Sequence, residues 1–286
     1  MLTIVFDGIA EGMLLFLLSV GLSVTLGLMN FVNLAHGAFA MLGGYVCVLV
    51  LERLGMPFAL AVVAAALAAA LAGLVLERAL YRRLYKASHL DQVLFSIGLV
   101  FMSVAAATYL FGDQQQAFTL PRALRRTWHA PGLDVDAYRL LLVAAGFALA
   151  ASLHALVTRT RFGASLRAAV DNQRAARGLG IDVDRVFVAT FALGSGLAGL
   201  GGALGVQMLG LSPEYPLQYI VYVLIVVAVG GAGSIQGSLV ASLLLGVVDV
   251  AGKYYLPQLG PFLIYAVMVL ALLVRPQGLF GTRVAN

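Results

Sequence analysis

Between Gly12 and Leu51 the chain reads GMLLFLLSVGLSVTLGLMNFVNLAHGAFAMLGGYVCVLVL, 40 residues without one Asp, Glu, Lys or Arg. As a single helix this run extends about 60 Å at 1.5 Å per residue, roughly twice the hydrocarbon core of a bilayer. It must therefore cross, turn and return, or break partway. Asn30, Asn33, His36 and Gly37 mark the break. A second run, Tyr215 to Val248, adds 34 uncharged residues and is interrupted at Gly230, Gly231, Gly233, Ser234 and Gly237. Backbone that leaves the helix at membrane depth is tolerated only inside protein or beside a water-filled path. The chain thus reads as an all-α polytopic membrane protein, and these two breaks are its candidate translocation path.

Composition agrees: 62% of residues are hydrophobic, 11% are charged and the mean hydropathy is +0.98, against about a quarter charged in an ordinary soluble domain. Five further uncharged runs supply single spans: Leu54–Leu76, Gln92–Gly112, Leu140–Thr158, Val186–Pro213 and Tyr254–Val274. With the two double runs they predict eight or nine transmembrane helices, two of them broken or re-entrant, in one transmembrane domain over residues 1–286. No secretory signal is expected, because Met1-Leu2-Thr3-Ile4 has no basic start and the first apolar run is too long. Cys47 is the single cysteine, so no intrachain disulfide is possible.

The net charge of +5 is a topology signal and does not argue for nucleic acid. Arg78, Arg82, Arg83 and Lys86 lie in Glu77–Asp91; Arg159, Arg161, Arg167, Arg174, Arg177 and Arg185 lie in Arg159–Arg185; Arg275 and Arg283 end the chain. The excess of Lys and Arg places all three segments, with the C-terminus, on the cytoplasmic side. Asp113 to Arg139 mixes four Arg with Asp113, Asp134 and Asp136 and falls outside by alternation. The N-terminus is then outside with nine spans and inside with eight; Asp7 and Glu11, with no Lys or Arg before them, favour outside. Gly37, Arg53 and Pro57 recur at the spacing of Gly237, Lys253 and Pro257, which reads as an internal repeat or as a coincidence between Gly-rich apolar segments.

Catalytic and energy-coupling motifs are missing from the sequence. It holds no Gly-x-x-x-x-Gly-Lys-[Ser/Thr] loop, no His-Glu-x-x-His, and no Gly-x-Ser-x-Gly elbow. The predicted spans carry almost no acid; Asp249 comes closest, and Lys253 four residues on makes it an ion pair at the membrane edge or a gate. A pore without an energy source of its own needs a partner to drive it. The loop at 159–185 is the candidate docking site: Leu166 and Val170 share a helix face, Asp171 is placed to cap a second short helix carrying Ala175, Ala176 and Leu179, Gly180 to end it, and Asp184 to cap the next span. The alternative is an ordinary basic loop touching lipid headgroups.

Ala175-Ala176 followed by Gly180 resembles the Glu-Ala-Ala…Gly loop of ABC-importer permeases, with Arg174 where the Glu stands in that pattern. Gly21 to Tyr45, with Asn30, Asn33 and His36-Gly37 inside it, is similar to the N-terminal signature of the LivH-type branched-chain amino acid permeases. The resemblance continues through Arg167-Ala168-Ala169 to Ile181, Thr190 to Gly199, Gly230 to Gly237 and Arg275 to Gly281, in order and over nearly the whole chain. It implies a bacterial inner-membrane permease subunit, not an enzyme, with no cofactor. Its partners would be a second homologous permease, two cytoplasmic ABC ATPases and a periplasmic binding protein delivering Leu, Ile or Val. Arg167, Asp171, Arg174, Ala175, Ala176 and Gly180 would couple to the ATPases. Urea, short-amide and other amino-acid importers share these blocks. A stand-alone carrier or channel, or a membrane enzyme, would need an acid at mid-membrane or a catalytic cluster that the sequence lacks.

Overall fold

The computed structural model describes residues 1–29, 31, 33–85, 87–130 and 133–281; Asn30, Lys86 and Arg283, which the sequence reading used, lie outside the described residues. The described chain is almost entirely helical: α1 (Leu2–Met29), α2 (His36–Val48, continued by one π turn at Leu49–Arg53), α3 (Phe58–Ala79), α4 (His89–Phe111), α5 (Ala137–Arg159), α6 (Arg161–Asp171), α7 (Gln173–Gly178), α8 (Val183–Leu209), α9 (Tyr215–Gly230), α10 (Ile235–Tyr255) and α11 (Gly260–Val274). A short antiparallel hairpin, β1 (Thr127–Ala130) and β2 (Leu133–Asp136), pairs Thr127 with Asp136 in the loop before α5. Among the described residues, α1, α3, α4, α5, α8 and α10 are long and apolar enough to cross a membrane, so the chain is a multi-pass membrane protein. α2, α9 and α11 are apolar but shorter.

Helix starts follow local capping chemistry, and two of them differ from expectation. Ser88 and Asp91 form a reciprocal capping box at α4, and Thr160 Oγ1 accepts the Gly163 N–H at α6. Asp171 is the last residue of α6; α7 is capped instead by Asn172, whose Oδ1 accepts the Ala175 N–H at 2.9 Å. Asp182 rather than Asp184 caps α8, accepting from Arg185 N at 3.1 Å. In both cases two neighbouring polar residues can serve as N-caps, and the one whose side-chain oxygen meets the free N–H three residues on takes the role.

Two ends of the molecule are distinguishable. At one, Asp7 pairs with Arg139, Asp134 N donates to Thr3 Oγ1, and Thr119 N donates to Glu52 Oε1 at 2.8 Å; this is the hairpin end. At the other, Arg82 and Arg177 both reach Asp184, and Leu279 N and Phe280 N donate to the carbonyls of Val229 and Gly230; this is the basic end. α1 runs from the hairpin end to the basic end and α8 the opposite way, crossing where Gly21 and Gly194 meet backbone to backbone. α10 lies on α1 through Gly8, Gly12 and Gly246; α3 lies on α8 through Ala65, Ala69 and Gly73. Small residues at these seams let the backbones approach closely, which is what holds helices together where there is no water to expel.

The order long helix, non-helical dip, short helix, long helix thus occurs twice, as α1–α3 and as α8–α10, with opposite direction. α4 and α11 extend the two sets. The Gly37/Gly237 spacing does not follow this equivalence: Gly37 opens α2, whose counterpart α9 opens at Tyr215 and Pro216, while Gly237 sits in the first turn of α10.

Candidate functional site

After Met29 the chain turns back into the protein. Phe31 stands edge-on against Tyr81 and Tyr85, with centroids 5.3 and 5.8 Å away. Asn33 is buried, and its Oδ1 accepts both the Ala35 N–H at 3.1 Å and the Tyr81 hydroxyl at 2.9 Å. His36 is buried too; its Nε2 lies 2.9 Å from the Leu18 carbonyl oxygen, which can only accept, so the ring proton sits on Nε2. Gly37 follows, so close to Pro216 that a Cβ would press on the Pro216 backbone. The first turn of α2 therefore abuts the first turn of α9, part-way along α1, and the two helices leave this point toward opposite ends. Both present helix N-termini, the partly positive ends, to one interior place.

The second break is a turn. Gly231 and Gly233 adopt φ of 96° and 85°, a region that side chains disfavour, and Ser234 Oγ accepts the Gly237 N–H to cap α10. Gly233 rests on Gly27 of α1, where a Cβ would overlap the Gly233 backbone, and Gly230 rests on Gly237. The C-terminal residues Leu279 and Phe280 close over the carbonyls of Val229 and Gly230. Both breaks therefore lie along the basic half of α1, with Asn33 and His36 deeper than Gly230–Ser234.

In the 159–185 segment the alanine pair divides. Ala176 is buried against the protein, whereas Ala175, Arg174, Leu179 and Gly180 face outward, Leu179 with 81% of its surface exposed. Leu166 is buried but Val170 is exposed, so the two do not share a buried face. Arg167 donates to the Val157 carbonyl and fastens α6 to the end of α5. Arg177 Nη2 reaches Asp184 Oδ1 at 2.9 Å and Arg82 Nη2 reaches Asp184 Oδ2 at 2.6 Å, tying α7 to the α3–α4 turn. In that turn the Tyr85 hydroxyl donates to buried Glu77 at 2.7 Å; burial first, then the Glu77 carboxylate, pushes the Tyr85 phenol above its ordinary range.

One charged group was only half legible. Lys253 pairs with Asp249 as its spacing suggests, and also with Glu11 of α1, at 3.3 Å. The sequence signal for Glu11 is slight: it is the acid that bounds the first uncharged run, 242 residues from Lys253.

Crossing helices packed through glycine, with polar groups turned inward at interruptions of apolar helices, define a polytopic membrane transport protein of the permease kind. The sequence comparison carries this to a family: a family model described as branched-chain amino acid transport system, permease component, matches residues 4–272, and the chain belongs to that family. It is 26% identical to the high-affinity branched-chain amino acid transport system permease protein LivH of Escherichia coli (strain K12), over 96% of this chain and 94% of that protein. It is 25% identical to the permease protein BraD of the corresponding system of Pseudomonas aeruginosa, with the same coverage. These relatives are transport permeases and not enzymes. No solved structure matches the chain.

Proposed function

We propose that the chain is the permease subunit of an ABC importer that carries branched-chain amino acids across the bacterial inner membrane. The observation that carries this reading is the family match over residues 4–272, together with a sequence that has no nucleotide-binding loop of its own. In this reading residues 1–286 form one permease domain. A second homologous permease, two cytoplasmic ATPases and a periplasmic binding protein complete the transporter. The basic end is cytoplasmic, with the C-terminus, by its Arg excess. Nine crossings result if α2, α9 and α11 each complete a passage, an odd number that suits Thr3 at the hairpin end and Leu279 at the basic end; α2 and α9 then serve as half-helices that meet inside, an arrangement other transporters use around their binding sites. The translocation path passes the α2–α9 junction, with Asn33, His36 and Gly37 shaping it and Gly230–Ser234 at its cytoplasmic mouth.

The 159–185 segment is the coupling element. Its docking surface is the outward side of α7, where Leu179 and Ala175 stand beside Arg174 and Gly180, while Asp171 ends α6 and Arg167 anchors it. Ala176 supports this surface from below. Co-expression with ATPase, binding-protein and second-permease subunits of a branched-chain amino acid system, followed by reconstitution into vesicles, tests the whole reading. Leu, Ile or Val should enter in an ATP-dependent way; uptake of urea or a short amide in their place redirects the substrate, and uptake without ATPases overturns the class. Leu179→Asp should lower ATPase association about tenfold or more, as expected for removal of an interface anchor, with insertion and melting unchanged. ATPases that co-purify at the unaltered level with Leu179→Asp would remove α7 from the coupling interface.

A further inference from the structure

Three ionisable side chains that lie within the apolar helices gather at one point in the hairpin-end half: Glu11 from α1 and Asp249 and Lys253 from α10. They line a cavity of about 190 Å³. Asp249 is almost fully buried, with 4% of its side chain exposed, whereas Lys253 is half exposed, so the cavity holds a deep carboxylate and an open ammonium. Ionisable groups among membrane-spanning helices are costly to keep and mark binding or conduction sites more often than scaffolding. A bare structural tie between α1 and α10 would need one acid and one base. Here two carboxylates face one ammonium, so the site has acceptor oxygens to spare for a second cationic donor. Lys253 has three N–H donors, of which Glu11 and Asp249 occupy two.

The remaining walls fit an apolar amine. Leu14 and Leu15 of α1 supply the floor. Tyr219 and Tyr222, on one face of α9, supply aromatic surface, and the Tyr219 hydroxyl donates to the Leu209 carbonyl at 2.9 Å, which fixes that ring as a wall. Leu209 also borders a second cavity of about 300 Å³, lined by Asp113 and Glu214 at the hairpin end.

We infer that this cavity is a binding site for a zwitterionic α-amino acid with an apolar side chain. The substrate ammonium lies between Glu11 and Asp249 against the tyrosine faces, its carboxylate takes the third donor of Lys253, and its side chain rests on Leu14 and Leu15. The ligand supplies one charge of each sign, so the spare carboxylate oxygens and the third ammonium donor are met together. An amine alone or an acid alone satisfies one of them. The inference rests on reading the chain as an amino-acid permease and adds where, on the side of entry, the substrate is held.

Thiol labelling of a full-length Tyr222→Cys permease in lipid nanodiscs tests it, with buried Cys47 as the internal control. L-leucine at ten times its half-protecting concentration should slow labelling about tenfold. 3-Methylbutylamine and 4-methylpentanoate, which keep the apolar part and lose one charge each, should protect at least about tenfold more weakly, the cost of one charge-assisted contact. Adding Lys253→Met, Asp249→Asn or the less buried Glu11→Gln should abolish protection while labelling without ligand stays at the Tyr222→Cys rate, which shows that the fold persists. Absence of leucine protection, equal protection by the one-charge analogues, or protection that survives all three substitutions overturns the site. Leucine uptake by the assembled transporter, measured in parallel, separates the two failures: uptake without protection sinks this site alone, and no amino-acid uptake at all sinks the permease reading beneath it.

Discussion

The two interruptions of the uncharged runs look alike in sequence and are built differently. At Asn33–Gly37 the polar side chains are met from afar, Asn33 by Tyr81 of the α3–α4 turn and His36 by Leu18 of α1, and Gly37 lies against Pro216 of α9. At Gly230–Ser234 the turn supplies most of its own geometry, through two glycines with positive φ and a serine that caps the helix it begins. The first is a junction to which three other elements contribute, α1, the α3–α4 turn and α9. The second is a hinge that local sequence dictates. Buried amides and carbonyls need partners in either case: at the first break buried side chains obtain them from across the fold, and at the second the carbonyls of Val229 and Gly230 take theirs from the backbone of Leu279 and Phe280.

That contrast can be broken by substitution. Asn33→Ala should have the largest effect, about 2–4 kcal/mol of stability, because it orphans two buried donors, Ala35 N–H and the Tyr81 hydroxyl, at about 1–3 kcal/mol each. Thermal unfolding in detergent measures it, and a loss below about 1 kcal/mol would mean that the junction is not held from afar. Gly231→Ala should cost about 1–3 kcal/mol, from forcing a side chain into a glycine-only backbone region beside Gly281. Hydrogen exchange should show its effect confined to residues 228–238 and to residues 278–281 packed on them; spread as far as α3 would erase the distinction between hinge and junction. Ser234→Ala should cost about 1 kcal/mol, the ordinary worth of an N-cap. A double-mutant cycle between Ser234→Ala and Asn33→Ala should then be additive to within about 0.5 kcal/mol. Strong coupling would make the two breaks one unit.

The multi-pass helical architecture was legible because a charge-free run longer than a bilayer admits few solutions. The two runs divide on paper near Asn30–Gly37 and Gly230–Gly237; in the structure α1 ends at Met29 and α2 opens at His36, and α9 ends at Gly230 and α10 opens at Ile235. What escaped was whatever depends on tertiary approach. Asp171 and Asn172, or Asp182 and Asp184, are interchangeable caps on paper, and only the path of the backbone chooses between them. Ala175 and Ala176 read as one docking face, yet adjacent residues on a helix point about 100° apart, and the structure buries the second. Glu11 could not be joined to Asp249 and Lys253 from spacing, because the antiparallel packing of α1 on α10 brings them together.

The opposed halves, α1–α4 and α8–α11, have a consequence for direction. A scaffold that follows the same route twice, once from each face, is nearly indifferent to being turned over. One-way movement requires the two faces to differ, and that difference cannot come from elements that occur in both orientations. It has to come from what is present once. Residues 112–182 are that part: they place the β1–β2 hairpin at one face and α6–α7 at the other, with α5 between them. The asymmetry between the two faces thus resides in the connector, and the repeated helices supply a frame that is nearly alike from either side.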